Sequence, residues 1–248
     1  MQFGKYKIKL VTLECPYDTW GDGITETLFS RVVQLKLKGY KAEYPYGVLP
    51  VDTTDFICTH HMACIEVGKE LYPVMAYKSV TSDRLKTHSL PFPLINLLKY
   101  CGTKEHLIAV QDIVTKCELN NKKLSYDSSW TIDPEIRKDL SFKPLLREIM
   151  NTMHVYFHKD NGTDEILSLG STRFKMEKLF DYWGYKLIEY MGKSLATFDV
   201  PTYFNENVVL IHQSNGFSKS ANTDAKKYET LWEEKVVIKS KTQRKVAA

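Results

Sequence analysis

Polar and apolar residues alternate over residues 5–13 (KYKIKLVTL), placing Tyr6, Ile8, Leu10 and Thr12 on one side of an extended chain and predicting a strand. The period then lengthens. Ile24, Leu28, Val32 and Leu35 recur at helical spacing, so residues 24–38 are expected to form an amphipathic helix stopped by Gly39. Residues 40–55, with their prolines and glycine, read as a long loop. Two strand-like runs follow, 55–67 (DFICTHHMACIEV) and 71–80 (LYPVMAYKSV), and Gly68-Lys69-Glu70 joins them as a hairpin. Residues 81–93 read as a polar loop, with Pro93 at the first turn of a short apolar helix, LINLLKYC. A helix over 104–119 buries Leu107, Val110, Val114 and Cys117, and a strand over 123–132 comes next.

Asp133-Pro134-Glu135 opens another helical region. The strongest helical stripe is Leu145, Ile149, Met153 and Phe157 in residues 144–158, with Leu146 and Met150 beside it. A strand (EILSLGS) and a helix carrying Met176, Leu179, Phe180 and Trp183 follow, the helix stopping at Gly184. The segments YKLIEYMGKSL and FNENVVLIHQS supply at least one more strand. Strands interleaved with helices in this order predict an α/β (α+β) fold, a mixed central sheet covered by helices.

The 248 residues are 43% hydrophobic and 26% charged, enough apolar material for a sizeable core. No stretch approaches the roughly 18–20 uninterrupted apolar residues of a membrane span. The first residues alternate rather than forming a signal-peptide segment, so a cytoplasmic location is expected. Five scattered cysteines read as reduced, buried thiols. The net charge of +4 is local, because Lys235, Lys239, Lys241, Arg244 and Lys245 follow Glu234 without an intervening acid. The remainder is near neutral and offers no nucleic-acid footprint. The expected organisation is one domain over 1–234 and a basic tail over 235–248, either solvated or a docking arm.

The chain contains neither G-x-G-x-x-G nor the P-loop pattern, and neither H-E-x-x-H nor G-x-S-x-G. Cys58, His60, His61 and Cys64 suggest a zinc site, but on an extended strand Cys58 and Cys64 would stand about 20 Å apart, and His61 would face away. No metal site is expected; the run reads as a strand beside a pocket in which His60 is a catalytic candidate.

Asp52 and Asp55 stand three apart at the mouth of the first hairpin strand, where they either hold an ammonium group or cap a turn. Asp127, on a predicted central strand, needs a partner; the alternatives to a catalytic role are an internal salt bridge or a hydrogen bond to Ser128 or Ser129. Arg84, Lys86 and His88 precede a helix N-terminus, which suits a phosphate or is simply an exposed basic loop.

Residues 31–190 resemble the autoinducer-synthase branch of the GNAT superfamily, the acyl-homoserine-lactone synthases and long-chain N-acyl amino acid synthases. The likeness rests on Arg31, then Asp52-Thr53-Thr54-Asp55 in place of D-x-x-D, then Ala76-Tyr77-Lys78-Ser79-Val80-Thr81 with Ser82-Asp83-Arg84. It continues through Tyr126-Asp127-Ser128-Ser129-Trp130, Asp133-Pro134-Glu135-Ile136-Arg137 and the terminal Gly184-Tyr185. Lys78 replaces an expected arginine, and E-x-S-R is reduced to Asp127-Ser128-Ser129 with Trp130, which leaves lactone formation open.

The resemblance implies an N-acyltransferase that uses acyl-CoA or acyl-carrier protein as co-substrate, with no permanently bound cofactor, and a small-molecule amine acceptor. It implies that Asp52 and Asp55 orient the acceptor, that Asp127 organises the site through water, and that Arg31, Lys78, Ser79, Thr81, Arg84, Lys86, Ser129 and Trp130 contact acceptor or donor. The alternatives are a non-catalytic acyl-chain or small-molecule binding protein on the same fold, and an interaction protein working through the basic tail.

Overall fold

The computed structural model describes residues 2–3, 6–44, 51–140, 142–201 and 206–240. The chain begins with β1 (Gln2–Phe3), β2 (Tyr6–Glu14), α1 (Gly23–Glu43), α2 (Thr54–Ile57), β3 (Thr59–Val67) and β4 (Glu70–Thr81). Next come α3 (Ser82–Thr87), α4 (Pro93–Cys101), α5 (Lys104–Leu119), β5 (Leu124–Ile132), α6 (Pro134–Lys138) and α7 (Lys143–Asp160). The chain continues with β6 (Glu165–Ser171), α8 (Met176–Trp183), β7 (Lys186–Leu187), β8 (Glu189–Tyr190), β9 (Lys193–Ser194) and β10 (Phe198–Val200). It closes with β11 (Glu206–Gln213), α9 (Lys219–Ala225), α10 (Glu229–Glu233) and β12 (Val236–Ile238). The fold is a mixed sheet flanked by helices, as the alternation of patterns predicts.

The chain divides into two compact units. The first comprises Met1–Ser79, Ser129–Met153 and Tyr228–Ala248, and the second comprises Val80–Ser128 and His154–Lys227. In the first, β2, β3 and β4 form an antiparallel run, with Leu13, His60 and Lys78 on one cross-strand row and Thr12, His61 and Tyr77 on the next. The β3–β4 register slips between Ala63 and Cys64, opposite Pro73, which has no N–H to give a regular ladder. The Val74 carbonyl accepts from the Asp133 N–H at 2.8 Å. Leu28, Phe29, Val32 and Leu35 of α1 pack on Val11, Leu13, Met62, Cys64 and Ala76.

Gly39 does not stop α1, which runs to Glu43. A Cβ at Gly39 would lie 2.3 Å from Thr131 Oγ1, so the glycine lets the helix backbone approach β5. The first hairpin strand is also shorter than its sequence pattern, because Thr54–Ile57 coil into α2. Part of the basic tail is ordered: Val236–Ile238 pair in parallel with Val11–Leu13 of β2. Residues 241–248, including Lys241, Arg244 and Lys245, lie outside the described residues.

In the second unit, Leu124–Asp127 of β5 pair in parallel with Glu165–Ser168 of β6, and β6 is antiparallel to β11. β11 also pairs with β10 and β7. The expected polar loop after β4 contains α3, capped by Thr81, whose hydroxyl accepts from the Arg84 N–H at 3.4 Å. Gly184 ends α8 in the left-handed conformation, φ 96°, as its position after Trp183 predicts. No helix among the described residues is long and apolar enough to cross a membrane.

Candidate functional site

The first cluster lies entirely in the first unit and centres on Asp55, whose side chain is 0% exposed. Thr53 and Thr54 start the single turn of α2, and its two acids cap it reciprocally. The Asp55 Oδ2 accepts from the Asp52 N–H at 2.9 Å, and the Asp52 Oδ1 accepts from the Thr54 N–H at 2.7 Å. Two lysines from other elements meet this turn. Lys36 of α1 donates to the Asp55 Oδ1, and Lys78 of β4 donates to the Asp55 Oδ2 at 2.7 Å and to the Asp52 Oδ1 at 2.9 Å. Buried Asp55 therefore faces two buried ammonium groups, and the exposed Asp52 supplies the second carboxylate, at a place where an unmatched charge would be expensive.

Burial by itself would raise the Asp55 pKa, but the charges of Lys36 and Lys78 outweigh it and hold the carboxyl well below the usual carboxylate range. Burial likewise pulls Lys78 down, and Asp55, Cys58 and Asp52 more than reverse that, so its pKa is raised. His60 approaches the Asp55 carbonyl oxygen through Nε2 at 2.8 Å and the Cys58 Sγ at 3.4 Å. Burial, and then the Lys36 charge, push its pKa down to about 3, which makes it a neutral imidazole at neutral pH. Its Nδ1 has no partner among the described residues. Burial also raises the Cys58 thiol to about 12, so this cysteine is an inert thiol.

Asp52 differs from the rest, with a side chain 64% exposed. Its Oδ1 accepts from the Thr54 N–H, the Thr54 hydroxyl at 2.5 Å and Lys78. Capping and availability thus coexist: one oxygen holds the turn, and the carboxylate still reaches solvent.

The remaining candidates are dispersed. Arg31 donates to the Leu71 carbonyl at 2.9 Å, pairs with Glu70 and sits 4.2 Å from the Tyr72 ring centre, so the hairpin occupies its guanidinium. Ser79 is buried, and its hydroxyl has no partner among the described residues. Thr81 caps α3. Arg84 lies in that helix, and Lys86 in the same helix pairs with Glu118 at 3.3 Å on the surface. Ser129, within β5, has a left-handed φ of 58°. Trp130 stacks on Tyr77 at 4.1 Å, and Tyr77 stacks on His61 at 4.6 Å. Lys36 was invisible to pattern reading, because a lysine beside Val32 and Leu35 looks like the edge of an apolar stripe.

Asp127 belongs to a second cluster, in the second unit. Its Oδ1 accepts from the Ser125 hydroxyl at 3.0 Å, and its Oδ2 lies 2.8 Å from His158 Nε2 and 3.4 Å from His154 Nδ1. Ser125 and His158 thus both engage its carboxylate within the second unit. Both histidines come from α7, one turn apart. Their spacing was legible, but there they read only as part of a helix with an apolar face.

No family model and no curated protein matches the chain. Among solved structures, it is similar to FeeM, an N-acyl amino acid synthase from uncultured soil microbes, with 12% identity and a TM-score of 0.51, covering 85% of this chain and 91% of that one. The fold is GNAT-like. The chain is also similar to the acyl-homoserine-lactone synthase LasI, at 10% identity with 94% and 98% coverage and a TM-score of 0.49. For MesI, a CoA-dependent acyl-homoserine lactone synthase, the values are 11% identity, 90% and 95% coverage and a TM-score of 0.49.

Proposed function

We propose that the protein is an N-acyltransferase that moves an acyl group from an acyl thioester, acyl-CoA or acyl-carrier protein, to the amine of an amino acid or related small metabolite. The observation that carries this reading is Asp52: an exposed carboxylate with one oxygen clamped by Thr54 and Lys78, mounted on a buried, charge-balanced turn. A fixed, solvent-facing anion suits an ammonium group, and the GNAT-like fold is the one FeeM uses.

In this proposal the acceptor arrives as an ammonium ion, which Asp52 holds and aims. Water takes one proton, and the neutral amine attacks the thioester carbonyl carbon. The resulting oxyanion collapses, the C–S bond breaks, the thiolate leaves with a proton, and an amide remains. Asp55, Lys36 and Lys78 position Asp52 and do not touch the reacting atoms; His60, neutral and sealed, belongs with them. Ser129 has a left-handed φ of 58° within β5, the kind of irregularity that frees backbone N–H groups, and we assign the oxyanion contact to this stretch with Trp130. Arg31, held by the hairpin, is assigned a supporting role.

The test is thiol release from a panel of acyl-CoAs and acyl-carrier proteins mixed with pooled amines, with mass spectrometry of the amide. Asp52→Asn should raise the acceptor KM about 10–100-fold, the loss expected for one charge-assisted hydrogen bond. Unchanged kinetics would remove Asp52 from the site. Tight thioester or amine binding without any thiol release would favour a binding protein.

A further inference from the structure

We propose that Asp127, His154 and His158 form a binding site for a divalent transition-metal ion, with zinc as the expected occupant. The three residues are fully buried, and one ligand atom from each lies within 4.8 Å of the other two. Bonds of about 2.0–2.2 Å to a common ion require donor–donor separations of roughly 3–3.5 Å. The Asp127 Oδ2 stands 3.4 Å from His154 Nδ1, inside that range, and 2.8 Å from His158 Nε2, a few tenths of an ångström short of it. Two imidazoles and one carboxylate make an N2O donor set suited to zinc and its first-row neighbours.

The local architecture explains the convergence. His154 and His158 lie four apart on α7 and so share one face of the helix. Asp127 points from β5 toward that face. Each donor is also held from behind, as metal ligands are. The Ser125 hydroxyl donates to the other oxygen of Asp127, the Tyr185 hydroxyl lies 2.9 Å from His154 Nε2, and the Thr163 hydroxyl lies 3.2 Å from His158 Nδ1. A hydroxyl oxygen can accept as well as donate, so each imidazole can keep its proton on the outer nitrogen and offer the inner lone pair to an ion. Trp183, 4.3 Å from the His154 ring, and Phe217, 5.2 Å away, wall the histidine side.

A hydrogen-bonded triad without metal is the competing account. In it the 2.8 Å His158 contact is an ordinary N–H···O bond, and what it leaves unexplained is the approach of His154 Nδ1 to the same oxygen at 3.4 Å, long for a hydrogen bond. An ion would instead tie β5 to the C-terminal half of α7 inside the second unit. Three protein donors leave a coordination position for water or a small ligand.

The experiment uses the full chain without a histidine tag, stripped by chelator in mild denaturant and refolded with Zn(II) or Co(II). Metal content is then measured after dialysis. The expected result is one ion per chain, a visible Co(II) ligand-field spectrum without a thiolate charge-transfer band, and a higher Tm for the loaded protein. Asp127→Asn and His158→Gln should each abolish stoichiometric binding. If those variants do not fold, the native chain still decides the question. Refolded native protein that retains well under one ion per chain overturns the proposal and leaves the hydrogen-bonded triad. A thiolate band, or a full complement of metal in the folded variants, also overturns it by placing the ion elsewhere.

Discussion

Replacing Asp55 by asparagine preserves the shape of the side chain and removes the anion that two buried ammonium groups share. Lys78 keeps a partner in Asp52, whereas Lys36, itself fully buried, has Asp55 as its recorded anionic contact. Stranding one member of a buried pair costs about 3–5 kcal/mol, because the remaining charge has neither water nor a counter-ion. For a chain of this length, each kcal/mol lowers Tm by about 2–4 °C, so a fall of roughly 6–20 °C is expected. Urea denaturation followed by circular dichroism, with a thermal scan beside it, measures both quantities. Lys36→Met in the Asp55→Asn background supplies the control. Once the stranded charge is gone, the double variant should be more stable than the two single losses predict, with a coupling of about 0.5–3 kcal/mol. Asp55→Asn within about 1 kcal/mol of the native protein, or strictly additive losses, would refute the argument that charge balance holds this turn.

Stability should also fall with acidity. The His60 pKa is about 3 in the folded chain against 6.5 for the free side chain, so the unfolded chain binds the extra proton below about pH 6.5 and stability drops as pH falls, by up to about 1.4 kcal/mol per pH unit. Asp55, depressed below its usual 3.8, adds acid lability below that value. His60→Gln should flatten the curve between pH 6 and 4.5, leaving the smaller slope that burial of His212 contributes; an unchanged curve counts against the assignment. Gly39→Ala should destabilise by about 1–3 kcal/mol despite alanine's helix preference, since its Cβ would meet Thr131 Oγ1, and a stabilised variant in urea would show that α1 is not pressed on β5.

Local rules wrote much of this fold into the sequence. Alternation marks β2 and the β3–β4 hairpin, a helical stripe marks α5, α7 and α8, and Gly184 stops α8, because each depends on neighbours a few residues away. Gly39 misled for the same reason: its local cost in a helix is visible, but its close approach to Thr131, about 90 residues later, is not. The polar segment that holds α3, and the weakly amphipathic α9 (KSANTDA), lack a stripe that pattern reading can follow. β12 (VVI) has β-branched residues, but at three residues it is too short to read as a strand until it pairs with β2, more than 200 residues earlier.

The candidate chemistry divides along the same line. Asp52 and Asp55 could be picked out by residue type and position at the mouth of a hairpin strand, and Lys78 through the family resemblance. Lys36 could not, since only the packing of α1 against α2 converts a lysine on an apolar face into the counter-charge of Asp55. Asp127 was legible as an interior acid on a strand, and His154 and His158 as a pair one helical turn apart. Bringing the three within 4.8 Å required the C-terminal turns of α7 to meet Asp127 on β5. Periodicity tells a residue which way to face; only the tertiary fold decides what it meets there.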